Sequence, residues 1–201
     1  LDDPRLDDFR DVKDAVHRRD RGTFIVEGRI NVEELVRQRR FAPRAVFVSE
    51  TACEAMRHVW QALPVNTPVY VGSQATLDGV VGFNMHRGCL AVAARRDEVG
   101  LDELLAADGP IVVAEDLTDV DNIGTLFRNA LALGAAGLLL SPRCCDPLYR
   151  KAVRVSMGAV LRLPYARARE WPGELGALRA AGCAIAALHP ADGAPVSYTH
   201  L

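Results

Sequence analysis

Apolar positions along this chain alternate between short continuous runs and spacings of three and four, with polar turns between them. Leu6, Phe9, Val12 and Val16 recur at helical spacing in a segment of mixed charge, which predicts an amphipathic helix over residues 5–19. Short apolar runs then predict strands at 23–26, 45–48, 69–71 and 89–93, with helices at 31–38, 53–63 and 74–80 between them. Such alternation is the pattern of a small three-layer α/β/α unit. Hydrophobicity falls at Arg95-Arg-Asp-Glu-Val-Gly100, a short apolar helix follows at 101–107, and Gly109-Pro110 makes a second break. Beyond it, strands are predicted at 111–117, 137–140, 160–164 and 183–188, and helices at 124–133, 147–156 and 174–181. Gly134, Gly158 and Gly182 stand near the ends of those helices, where a left-handed cap favours glycine. Continuous apolar strands alternating with helices imply a parallel sheet covered on both faces, with ligands at the strand C-termini. The reading is thus α/β throughout: residues 1–97 as a first unit, 98–109 as a linker and 110–201 as a second unit.

Composition narrows the class. With 201 residues, 49% of them hydrophobic, the chain can bury packed cores. Its apolar stretches, such as 130–140, are interrupted by glycine and fall short of the roughly 18–20 residues of a membrane span. The opening Leu-Asp-Asp-Pro-Arg lacks the basic-then-apolar layout of a secretory signal, so the expectation is a cytoplasmic protein without a membrane partner. Cys53, Cys89, Cys144, Cys145 and Cys183 follow no metal or redox spacing and are read as reduced thiols. His17, His58, His86 and His200 have no ligand-spaced partners, so no metal site is expected. The net charge of −2 gives no global footprint for nucleic acid, which leaves local patches. One is Arg143, Arg150, Lys151, Arg154, Arg162, Arg167 and Arg169, opposed by Asp146 alone. The other is His17-Arg18-Arg19-Asp20-Arg21.

The most informative stretch is Asp119-Val-Asp-Asn122-Ile-Gly124-Thr-Leu-Phe-Arg128-Asn-Ala130, directly after the apolar run from Ile111 to Leu117. It reads as a strand, a polar turn holding Asn122 and Gly124, and a helix with Arg128 in its first turn. A cation there opposes the helix dipole, which suggests an anionic partner such as phosphate. No Gly-x-Gly-x-x-Gly, P-loop or nucleophile elbow occurs, so hydride transfer, P-loop phosphoryl transfer and serine hydrolysis lack their usual motifs.

Asn122-x-Gly124-x-x-x-Arg128-x-Ala130 resembles the first signature motif of the SPOUT-class RNA 2′-O-ribose methyltransferases, the SpoU or TrmH family. Arg154-Val-Ser156-Met-Gly158-Ala159 looks like that family's Arg-x-Ser-x-Gly-Ala segment. Arg21-Gly-Thr-Phe24-Ile-Val26-Glu27-Gly28 and His86-Arg-Gly88 resemble the start and end of its substrate-binding domain. Val120 and Arg87 depart from the family's usual Pro and Gln. The family also continues with a Gly-x-Glu-x-x-Gly loop and a Ser-Leu-Asn-Val-Ser segment, which supply most of the donor pocket and complete a trefoil knot. Neither occurs here, and Val196 to Leu201 does not resemble that continuation, so the expectation is a truncated end or a non-native junction with the knot region missing.

The resemblance implies S-adenosylmethionine-dependent methylation of a ribose 2′-hydroxyl in rRNA or tRNA, by a homodimer when the protein is complete. It implies Arg128 as the principal catalytic residue with Asn122 assisting, and Gly124, Arg154 and Ser156 as substrate-binding. Leu188 and His189 would contact the adenosine part of the donor. Glu27 is read as structural, orienting the first helix of its unit. Two other classes remain open: an RNA-binding module without catalysis, to which weak or absent donor binding would point, and a nucleotide-binding α/β enzyme indifferent to RNA.

Overall fold

The computed structural model describes residues 3–10, 12, 14–85 and 88–187. Its first sheet joins β1 (Thr23–Glu27), β2 (Pro43–Ser49), β3 (Val69–Gly72) and β4 (Cys89–Ala94) in the order β1-β4-β2-β3. Strand β4 is antiparallel to β1 and β2, whereas β2 and β3 run parallel. Side chains alternate strictly between two apolar clusters, as the pleat requires. Phe24, Val26, Val46, Val48, Cys89, Ala91 and Ala93 enter one; Ile25, Ala45, Phe47, Leu90 and Val92 enter the other. Helices α2 (Arg29–Gln38), α3 (Glu50–Ala55) and α4 (Arg57–Trp60) cover the first face. A 3-10 helix (Pro4–Phe9) and α5 (Gln74–Val81) cover the second, giving the three layers read from the sequence.

Two helix boundaries differ from expectation. The leading segment is not one helix over 5–19 but the 3-10 helix, capped by the Asp3 carboxylate, followed by α1 (Ala15–Asp20). Phe9 and Val12 anchor it in the second cluster while Val16 is 71% exposed, so no single helical stripe exists. The helix expected over 53–63 starts earlier, at Glu50, because Ser49 caps it, and breaks at Met56.

The second sheet is parallel throughout, in the order β5-β6-β7: β5 (Ile111–Ala114), β6 (Gly137–Leu140) and β7 (Tyr165–Arg167). Helices α7 (Val120–Ala132), α8 (Arg150–Val155) and α9 (Ala159–Arg162) lie on one face. Helices α6 (Leu101–Leu105) and α10 (Gly173–Ala180) lie on the other, where Leu104 and Leu178 meet Leu139 and Ala166. The strand expected at 160–164 is instead α9 and its exit. Gly158, in the left-handed region at φ 82°, restarts a helix whose Val160 and Leu161 are buried, and the strand forms only from Tyr165. No strand forms over 183–187, most of which is exposed. Strand β5 stops at Ala114 rather than 117, because Asp116 turns into the left-handed region (φ 50°) and its N–H is taken by Ser141 Oγ at 2.8 Å.

The apolar cluster on the α2 side of the first sheet does not end at that sheet. Phe24, Val26, Val32, Leu35 and Phe41 belong to the same cluster as Ile123, Phe127, Leu140, Val160 and Tyr165. Phe127 and Tyr165 meet edge to face at 5.6 Å. Ion pairs cross the same seam: Glu27 to Arg150 and Arg154, Arg95 to Asp146, and Glu34 to Arg162.

Candidate functional site

Helix α7 is set by its cap and by its apolar period. Asp119 Oδ1 accepts from the backbone N–H of Asp121 at 2.9 Å and of Asn122 at 2.8 Å, satisfying donors that the first turn leaves without partners. Ile123, Phe127 and Ala130 recur at spacings of four and three and are buried on the sheet. The helix therefore begins at Val120, not Gly124, which changes three expectations. Asn122 is an exposed residue of the first helical turn. Gly124 is buried: a Cβ there would stand 2.7 Å from the Ala152 carbonyl oxygen and 3.0 Å from Val155 Cβ. Its lack of a side chain lets α7 and α8 approach, so the structure gives it a packing role. Arg128 is the ninth of thirteen helical residues, and the dipole of the helix terminus does not act on it.

Arg128 is exposed and, among the described residues, has no hydrogen-bond or ion-pair partner. In the basic stretch that follows, Arg169 likewise shows no side-chain partner among the described residues, whereas the other six cations are ion-paired. Arg143 pairs with Asp116, Arg150 and Arg154 with Glu27, Lys151 with Asp121, Arg162 with Glu34 and Arg167 with Glu98. Their acids come from distant parts of the chain, so a segment that reads as strongly positive is largely neutralised in the fold. In the other patch Arg18 is buried, and Arg18 and Arg21 both reach Asp8.

Arg154 and Ser156 separate in role. Arg154 is half-exposed and holds Glu27 Oε1 at 3.3 Å, with the rest of its guanidinium open to solvent. Ser156 is buried; its Oγ donates to the Val153 carbonyl at 2.8 Å and accepts from Val160 N–H at 3.5 Å, so it fastens α8 to α9 and is not available to a substrate. Leu188 and His189 lie outside the described residues. Glu27 is structural, but not as an acid at a helix start: it is buried at the end of β1 and ion-paired to two arginines of α8.

At the C-terminal edge of the second sheet the loops after β5 and β6 are stitched together. Ser141 Oγ donates to Asp116 Oδ1 at 2.9 Å, and Arg143 binds the other oxygen of that carboxylate. These partners, Arg143 foremost, hold Asp116 below the usual carboxylate range. Cys144 Sγ donates to the Ala114 carbonyl at 3.3 Å and accepts from Leu117 N–H at 3.4 Å, while Arg167 donates to the Cys144 carbonyl at 2.9 Å. Burial pushes the Cys145 thiol up to about 11, so that thiol is protonated near neutrality. Beside this edge Asp121 Oδ1 is buried without a hydrogen-bond partner. Among the described residues no group of three or more His, Cys, Asp or Glu could hold a metal ion, and no helix is long and apolar enough to cross a membrane.

The α/β fold with its parallel β5–β6–β7 sheet matches solved SpoU methyltransferase structures. Residues 109–200 match the SpoU rRNA Methylase family. An uncharacterized tRNA/rRNA methyltransferase of Mycobacterium tuberculosis (strain H37Rv) is 38% identical over 193 residues, which are 94% of this chain and 66% of that protein. The AdoMet-bound rRNA methyltransferase from Sinorhizobium meliloti superposes with a TM-score of 0.69 at 24% identity, covering 90% of this chain and 67% of that one. An RNA 2′-O ribose methyltransferase superposes at 0.70 with 23% identity, covering 90% and 68%. The chain belongs to the SpoU methylase family, and it spans about two thirds of the length of these relatives.

Proposed function

We propose that this protein transfers a methyl group from S-adenosylmethionine to a ribose 2′-hydroxyl in rRNA or tRNA, with residues 110–201 as the methyltransferase unit and 1–97 as the RNA-binding unit. The observation that carries the reading is Arg128: an exposed guanidinium without a partner among the described residues, at the arginine position of the Asn122-x-Gly124-x-x-x-Arg128 motif in the segment that matches the SpoU family. A buried or ion-paired arginine would have no capacity left for RNA. This one keeps its fork of donors free for a phosphate and for charge developing on an adjacent 2′-oxygen. With a pKa above about 12 it stabilises that charge rather than removing the proton. Asn122, exposed on the first turn of the same helix, adds a carboxamide that can hold the ribose.

The fit to the donor is supported at the strand ends. Asp121 Oδ1, buried and unpartnered, is an acceptor suited to a hydroxyl or ammonium group of such a ligand, and the 115–119 and 141–146 loops are fixed by their mutual hydrogen bonds. When bound, the sulfonium supplies an already activated methyl group, so the chain's task is alignment more than bond activation. A homodimer is part of the reading; Leu133, 84% exposed just after α7, is an apolar residue that a partner would cover.

The test is Arg128→Ala in a protein of the relatives' full length. Methyl transfer to rRNA and tRNA should be lost, while calorimetric affinity for S-adenosylhomocysteine stays nearly intact. Alkaline hydrolysis of the product, which skips a 2′-O-methylated ribose, locates the modification. Normal turnover by the variant overturns the role of Arg128, and methylation on a base overturns the 2′-O assignment.

A further inference from the structure

A cleft of about 270 Å³ opens at the C-terminal end of the parallel β2–β3 pair, lined by Arg29, Ser49, Glu50, Thr51, Ser73, Gln74 and Gly88 among others. Resting on the RNA reading above, we infer that this cleft holds one unpaired RNA nucleotide, with its phosphate on Arg29 and the Watson–Crick edge of a guanine on Glu50 and Gln74.

The inventory of free groups points to that ligand. Arg29 is exposed and, among the described residues, has no hydrogen-bond or ion-pair partner, so a cation stands at the rim ready for an anion. The two cap oxygens accept from their helices, Ser49 Oγ from Ala52 N–H at 3.2 Å and Ser73 Oγ from Thr76 N–H at 3.1 Å, and each hydroxyl keeps its own O–H to donate. Gln74 spends its amide N–H groups on Asp78 Oδ1 at 2.8 Å and the Met85 carbonyl at 2.7 Å, which leaves its Oε1 as an acceptor toward Gly88. Glu50 is exposed and unpaired, and contributes two acceptor oxygens. Among the described residues the cleft thus combines one cation, one carboxylate and one free amide oxygen with the hydroxyls of Ser49, Thr51 and Ser73. A bare phosphate would be repelled by Glu50, and a cation by Arg29. A nucleotide whose base presents neighbouring N–H donors satisfies both, and guanine offers N1–H beside its amino group, matching the two oxygens of one carboxylate.

Size and shape agree. The volume lies just under the roughly 300–1,000 Å³ of small-ligand pockets, enough for one nucleotide and too little for two. The wall cannot be filled without loss: a Cβ at Gly88, which sits at φ 54°, would stand 2.5 Å from Ser49 Oγ. Among the described residues no aromatic side chain lines the cleft, and the carboxylate and amide oxygen there suit reading of a base by its edge.

Fluorescence anisotropy of labelled rRNA fragments and tRNA on the full chain tests this through the sign of one substitution. Arg29→Ala should weaken binding roughly fivefold or more, the scale of one good polar contact to a nucleotide. Glu50→Ala should also weaken it, although deleting an acid strengthens attraction to RNA by electrostatics alone. Arg44→Ala, an exposed cation at the opposite end of β2, should change it less than twofold. All three positions are exposed, and circular dichroism confirms the fold. Added 5′-GMP should compete for the RNA at lower concentration than 5′-AMP. Equal or tighter binding by Glu50→Ala, or no loss with Arg29→Ala, overturns the cleft while leaving the methyltransferase reading in place. No RNA binding by the unmodified chain overturns both.

Discussion

Glu27 is where a single substitution should have its largest effect outside the apolar core. Its side chain is 8% exposed and meets Arg150, itself 14% exposed, and Arg154, 37% exposed. Removing the carboxylate leaves the Arg150 guanidinium buried over the Phe83 ring, 4.9 Å away, without an acid partner among the described residues and with its Nε already lacking a hydrogen bond. An uncompensated buried charge of this kind costs about 3–5 kcal/mol. The Arg154 arm, nearer to water, is worth about 0–1 kcal/mol. Glu27→Ala should therefore destabilise by several kcal/mol and Arg154→Ala by less than one. Arg150→Ala should fall between them, because Arg154 still faces the carboxylate. Urea unfolding with linear extrapolation measures each, and the double variant Glu27→Ala/Arg150→Ala should cost clearly less than the sum of the two singles. Additive losses, or a Glu27→Ala penalty as small as that of Arg154→Ala, would refute the buried pair as the clasp between the two sheets.

Gly124→Ala drives a methyl group to within 2.7 Å of the Ala152 carbonyl and should cost about 1–3 kcal/mol despite alanine's better helix propensity; a stabilised variant in thermal melts would mean that α8 yields freely. Asp119→Ala removes the α7 cap and should cost about 1 kcal/mol, recovered in large part by Asp119→Asn, both read by urea midpoint. Asp116 has a folded pKa depressed by Arg143 and Ser141, so its contribution is present above the unfolded value of about 3.9 and is lost as pH falls through the folded one. Asp116→Asn should accordingly flatten the acid limb of the stability profile below about pH 4, and an unchanged limb would exclude that linkage. Cys89, buried and pushed up to about 12, should resist iodoacetamide at pH 8 in the native protein and react only on unfolding.

Strands 23–26, 89–93 and 137–140 were legible because their apolar positions run without a break, and the sheet that buries both faces of each rewards that pattern alone. Residues 160–164 defeated the same logic: a short apolar run is equally at home in a buried helix, and Gly158 decides which. Charge was the least legible feature. The basic run from Arg143 to Arg167 finds its acids at Glu27, Glu34, Glu98, Asp116 and Asp121, and no local pattern announces a pair separated by more than a hundred residues. In the site, Arg128 was legible through its motif, but its freedom from internal partners required the fold. Gly124 and Ser156 lie in the same motifs as Arg128 and Arg154 but are buried, which no motif announces, because a motif records spacing and not which side of a helix faces the interior.

Because one apolar cluster runs unbroken from Phe24 to Tyr165, the two sheets behave as a single casting rather than as a hinged pair. Under the proposed function, a folded RNA would have to present its features at the span that the casting dictates. Selectivity would then work as a caliper does, rejecting molecules whose loops stand too near or too far from the target ribose, even where every individual contact is chemically acceptable.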